Sequence, residues 1–137
     1  MKMNHLGYAA RNLEEALNAF LKLGYTKVHE DVKHHAPKNM YVQRVKLGDL
    51  IVELMATADT SKPSFVSETL EATTEPFVLA HLCYDVEDIH KTVDDLMATG
   101  EYTIHEAITS GVFQKNQICF LRHKQIGLIE FFEWPKE

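Results

Sequence analysis

The stretch HLGYAARNLEEALNAFLKLG, residues 5–24, decides the fold, because a second stretch, HLCYDVEDIHKTVDDLMATG at residues 81–100, lies over it without a gap. His5 matches His81, Leu6 matches Leu82, Tyr8 matches Tyr84 and Gly24 matches Gly100. Apolar character also agrees at Ala10/Val86, Leu13/Ile89, Leu17/Val93, Phe20/Leu96 and Leu21/Met97. Each copy opens with side chains alternating between two faces, Leu6, Tyr8 and Ala10 against His5, Gly7 and Ala9, then Leu82, Tyr84 and Val86 against His81, Cys83 and Asp85. That period of two is a strand. An N-cap residue follows, Asn12 or Asp88, and then apolar residues at helical spacing. Glu15 stands three places past Asn12, as in a capping box, and Gly24 and Gly100 stop the two helices. An internal repeat of this kind makes each copy one supersecondary unit.

After each helix come runs rich in Val, Ile, Phe and Tyr broken by polar turns, which predict three more strands per copy. They fall at about 26–30, 40–47 and 50–56 in the first copy, and at about 102–106, 117–122 and 127–132 in the second. The expectation is an α+β fold, two βαβββ modules in tandem. Module 1 covers residues 1–56 and module 2 residues 77–137, making one domain of 1–137. The intervening 57–76, with Pro63, Pro76 and many Ser and Thr, reads as a linker with one helical turn around 65–70.

Composition sets the outer limits. A chain of 137 residues is about one domain, and 45% hydrophobic with 25% charged residues is ordinary for a folded soluble protein. Twenty Asp+Glu against 14 Lys+Arg give a net charge of −6, which argues against a nucleic-acid partner. Cys83 and Cys119 each fall inside an expected strand and read as reduced thiols rather than a disulfide framework. No run of about 18 apolar residues is present, and MKMNHLGYAA enters patterned sequence without a signal-peptide core. A cytoplasmic protein without a membrane partner is expected.

Two carboxylates break the apolar pattern. LIVELM at 50–55 holds Glu53, and IGLIEFF at 126–132 holds Glu130 between Ile129 and Phe131. Burying a charge in such a run is costly unless something pairs with it. His5 precedes Glu53 by 48 positions and His81 precedes Glu130 by 49, so each module carries a His on its first strand and a Glu on its last. If the modules pair their sheets, the four side chains can enter one cleft and hold a divalent metal, which supplies the missing charge partner. Parity groups Glu53 with Ile51 and Met55, and Glu130 with Leu128 and Phe132, giving the site an otherwise dry lining.

At this point the sequence resembles the vicinal oxygen chelate superfamily, over nearly the whole chain. The phrases HLGYAARNLEEAL, LGDLIVELM, HLCYDVEDI and ICFLRHKQIGLIEFF look like the corresponding family segments in the right order. The resemblance implies the glyoxalase/bleomycin resistance fold, a curved mixed sheet around a metal cleft. It also implies His5, Glu53, His81 and Glu130 as ligands of one divalent ion, whether nickel, cobalt, zinc or manganese. Glyoxalase I (lactoylglutathione lyase) and methylmalonyl-CoA epimerase look nearest. Their shared chemistry is proton abstraction beside an oxygen held by a Lewis-acidic ion. By the symmetry of the repeat either carboxylate can take the proton, and Glu130 is chosen as main base with Glu53 as its counterpart.

The complete His/Glu/His/Glu set suits glyoxalase I, which is the expected activity, with the epimerase as alternative because the turn HKQIG before the last strand is nearer the epimerase type. The substrate is then thiol-linked, a glutathione hemithioacetal or an acyl-CoA. Lys115, Arg122 and Lys124, with His123, form a basic cluster able to receive its carboxylate or phosphate groups. A homodimer is expected, the linker being long enough for modules to close within one chain or to exchange.

Two rivals stand beside this reading. Extradiol dioxygenases of the superfamily use two His and one Glu for iron, so Glu53 counts against oxygen chemistry. Bleomycin-resistance members are non-enzymatic drug-binding proteins and lack the four-ligand set. The other histidines, including His34 and His35 in an expected polar loop, have no repeat-equivalent partner and read as structural or solvent-facing. Cys83, on the face of His81, reads as a small core residue.

Overall fold

A computed structural model describes residues 1–111 and 115–136, and the described residues form nine strands, three α-helices and one 3-10 turn. The chain divides into two compact units. The first is residues 5–80, the second residues 1–4 with 81–137.

In the first unit β1 (Lys2–Ala10, from His5 onward) leads into α1 (Leu13–Lys22). The Asn12 side chain caps α1 by accepting the Glu15 N–H at 3.0 Å. The helix ends before Gly24, whose φ of +107° is a conformation that glycine adopts at no steric cost. Strands β2 (Thr26–Lys27), β3 (Lys33–His35), β4 (Met40–Leu47) and β5 (Leu50–Thr57) follow. Their order is β2-β4-β5-β1, with β3 also on β4, and β1 runs parallel to β5. One apolar face, Val45, Val52 and Leu54, packs under Leu13, Leu17 and Phe20 of α1.

The second unit repeats the plan. β6 (Phe77–Asp85, from His81 onward) leads into α3 (Ile89–Met97), capped by the Asp88 carboxylate on the Lys91 N–H at 3.0 Å. β7 (Tyr102–Ser110), β8 (Gln117–His123) and β9 (Gly127–Glu133) complete the order β6-β9-β8-β7, with β6 parallel to β9. Ile89 and Val93 of α3 pack on Cys119, Leu121, Ile129 and Phe131. The N-terminal residues join this unit, Asn4 Nδ2 donating to Asp85 Oδ1 at 2.7 Å.

Three local expectations change. The strand expected at 26–30 stops at Lys27, because the chain turns at 28–32, where His29 Nδ1 donates to the Asp31 carbonyl at 2.7 Å. His34 and His35 then lie in β3 rather than in a loop, with the His34 ring against Tyr41. β7 continues to Ser110 through two register shifts, an irregularity that sequence alternation does not reveal. Within 57–76 the helical turn becomes α2 (Ser67–Glu71), and Arg11 fastens the segment by donating to the carbonyls of Leu70, Thr73 and Glu75. A guanidinium carries enough donors to hold several carbonyls at the end of α2 and in the chain after it. Among the described residues no helix is long and apolar enough to cross a membrane.

Candidate metal centre

Each unit builds one His–carboxylate pair from its parallel strands. In the first, Gly7 of β1 lies beside Glu53 of β5, so His5, two residues before Gly7, shares the face of Glu53. His5 is fully buried and Glu53 is 6% exposed, with His5 Nε2 at 3.7 Å from Glu53 Oε1. In the second, Cys83 of β6 lies beside Glu130 of β9, so His81 shares the face of Glu130. His81 is 2% and Glu130 6% exposed, with His81 Nε2 at 3.2 Å from Glu130 Oε1. Both rings turn Nε2 toward the carboxylate.

Of the lining that parity expects, Met55, Leu128 and Phe132 are buried, and Ile51 is half-buried. Met55 and Val42 are buried beside Glu53, and Leu128, Phe132, Phe120 and Ile118 beside Glu130. The Phe120 ring meets the His81 ring edge-on at 5.4 Å. These walls raise the strength of every charge interaction near the carboxylates.

One partner escapes a reading by sequence. Arg44, on β4 opposite Glu53, donates from Nε to Glu53 Oε2 at 3.0 Å and places Nη2 at 2.9 Å from the same oxygen. Its backbone N–H is held by His29 Nε2 at 3.1 Å. The signal that finds Arg44 is the two-residue turn Gly48-Asp49: with Leu47 opposite Leu50, counting back along both strands sets Arg44 against Glu53. At the matching place in the second unit, Phe120 stands opposite Glu130.

The basic residues do not gather at one point. Lys115 precedes β8 and Lys124 follows it, so the length of the strand, roughly 20 Å at about 3.4 Å per residue, separates them. Arg122 lies opposite Leu128, on the face of Glu130, and is exposed. The turn 123–127 is shaped by His123, whose Nδ1 accepts the N–H groups of Gln125 and Ile126. Both cysteines are buried thiols outside any disulfide. The Cys119 thiol donates to the Glu106 carbonyl, and burial pushes its pKa up to about 11, with the Glu106 charge adding to the rise. A thiol raised in this way is protonated at neutral pH, the form that is a poor nucleophile.

The chain belongs to the Glyoxalase/Bleomycin resistance protein/Dioxygenase superfamily, whose family model matches residues 4–120. That match takes in His5, Glu53 and His81 and ends before Glu130. Among solved structures, a hypothetical protein from Bacillus halodurans has the same fold with a TM-score of 0.82 at 16% identity, covering 99% of this chain and 96% of that one. Methylmalonyl-CoA epimerase from Mycobacterium tuberculosis gives 0.79 at 21% identity, covering 98% and 89%. A Streptomyces coelicolor methylmalonyl-CoA epimerase variant, in complex with 2-nitronate-propionyl-CoA, gives 0.78 at 15% identity, covering 99% of both chains. These likenesses show the fold, the glyoxalase/bleomycin resistance fold expected from the sequence. No curated protein matches the sequence.

Proposed function

We propose that His5, Glu53, His81 and Glu130 hold one divalent ion, and that the protein is a metal-dependent isomerase or lyase acting on a thioester or thiol-linked carbonyl substrate. The observation that carries this is the pair of buried His–Glu couples at equivalent positions of two repeated units, each set among apolar side chains. Imidazole nitrogens and carboxylate oxygens together suit nickel, cobalt, zinc or manganese. A bound ion of this class supplies Lewis acidity that draws electron density from a carbonyl beside the reacting carbon.

The chain's own residues do the rest. Glu130 takes the proton from the α-carbon onto a carboxylate oxygen, the electron pair moving into the neighbouring carbonyl, and returns it to the same or the adjacent carbon. Glu53 is its counterpart in the other unit. The buried rings of Phe120 and Phe132, on the face of Glu130, keep water from the carbanionic centre. Arg122, exposed on the face of Glu130, receives an anionic group of the carrier, and Lys124 follows two residues on, in the turn after β8.

Between the two expected substrates, an acyl-CoA now comes first. Structural neighbours bind acyl-CoA ligands, and the HKQIG turn points the same way. The observation that favours the glutathione hemithioacetal is the complete His/Glu/His/Glu set. Metal-loaded protein should be given methylmalonyl-CoA in deuterated water and, separately, the methylglyoxal–glutathione hemithioacetal. Exchange of the α-proton in the first is the expected result. Thioester formation only in the second would transfer the assignment to lactoylglutathione lyase, and silence in both with metal bound would favour a binding protein.

A further inference from the structure

Glu53 and Glu130 are matching carboxylates, yet the side chains opposite them differ in kind. Arg44 sets both Nε and Nη2 on Glu53 Oε2, at 3.0 and 2.9 Å, and both residues are buried. Opposite Glu130 is Phe120, whose ring has no N–H to give. Two charge-assisted contacts to one oxygen, away from water, fix that oxygen in place. The second oxygen, Oε1, faces His5 Nε2 at 3.7 Å.

We propose that Arg44 is a positioning residue: by holding Oε2 it commits Glu53 to binding the ion through Oε1 alone, as a stationary ligand. The carboxylate movement that proton transfer requires is thereby left to Glu130. This rests on the reading that the four residues bind a divalent ion. A guanidinium suits the position because its rigid fork delivers two donors in one plane, which an ammonium cannot do. The His29 bond to the Arg44 backbone holds the fork's base in register.

Cobalt(II) is the probe, since its visible bands report the number and geometry of ligand atoms. Wild type, Arg44→Met, Glu53→Gln and the double variant are titrated with cobalt and their spectra compared. Arg44→Met is expected to bind cobalt with shifted bands of altered intensity, because Glu53 can then bind through both oxygens. The same substitution should add no change in the Glu53→Gln background. Superimposable spectra for wild type and Arg44→Met overturn the proposal while leaving ion binding intact, as does an Arg44→Met change that persists undiminished without Glu53. A wild-type protein with no cobalt bands overturns the ion-binding reading and this proposal with it. Should Arg44→Met not fold, Arg44→Lys replaces it, with the same shift expected to a smaller extent and an unchanged spectrum counting against the proposal.

Discussion

Glu53 sits across the ladder from a cation and Glu130 across from a phenyl ring, so one chemical group has two electrostatic settings at equivalent places in the repeat. Removing one member of a buried ion pair leaves the other without compensation, which costs on the order of 3–5 kcal/mol. Arg44→Met should therefore destabilise chelator-treated protein by about that much in urea unfolding, and Arg44→Met/Glu53→Gln by clearly less. Equal losses in the two would mean that Arg44 acts through packing and not through Glu53. For Glu130→Gln the expectation is a folded protein whose proton exchange falls roughly 10²-fold or more, as on loss of a general base. Near-normal exchange with metal bound would place the base elsewhere. His5→Ala and His81→Ala should each weaken metal retention, measured by elemental analysis after dialysis, and full metal content in both would remove the proposed site.

At the scale of elements, the two helices begin on chemically different caps doing the same task. Asn12 accepts the Glu15 N–H in α1, and Asp88 the Lys91 N–H in α3. Asn12→Ala should cost about 1 kcal/mol, by the same amount at every pH because an amide does not titrate. Asp88 behaves otherwise: the backbone hydrogen bond from Lys91 holds its pKa below the ordinary 3.8. A depressed carboxylate stabilises the fold above its unfolded value, and that contribution is lost as the pH falls through the folded value. The gap in thermal midpoint between wild type and Asp88→Ala should thus be full at pH 7 and shrink below about pH 4. A gap unchanged at pH 3 would show that the cap acts only through its neutral oxygen.

For the whole molecule, one His and one Glu per unit are too few donors to hold a divalent ion separately, since such ions take four or more ligands. Titration with metal should end at one ion per chain. Saturation at two would mean two independent half-sites, and the four-residue reading would fail. Binding that favours the native state also stabilises it, by about 2.7 kcal/mol at a free metal concentration 100 times the Kd. Thermal unfolding should accordingly shift upward with added metal and return on chelation. In His5→Ala/His81→Ala the shift should vanish, and its survival there would locate the ion elsewhere.

The sequence by itself carried whatever depends on neighbours along the chain. Strand alternation, helical spacing, the Asn12 and Asp88 caps and the Gly24 and Gly100 stops are local signals, and repetition doubled each of them. Glu53 and Glu130 stood out for the same reason, a charge in an apolar run being visible without coordinates. Tertiary structure alone decided what depends on register and turn geometry. The early stop of β2 and the added β3 follow from the turn at His29, and the shifts in β7 follow from its pairing with β8. Arg44 became a partner of Glu53 through the tight turn at Gly48, and β8 put Lys115 and Lys124 beyond its opposite ends. A side chain's face can be read from parity, but the residue across the ladder is set by hydrogen bonds between segments that the linear pattern does not join.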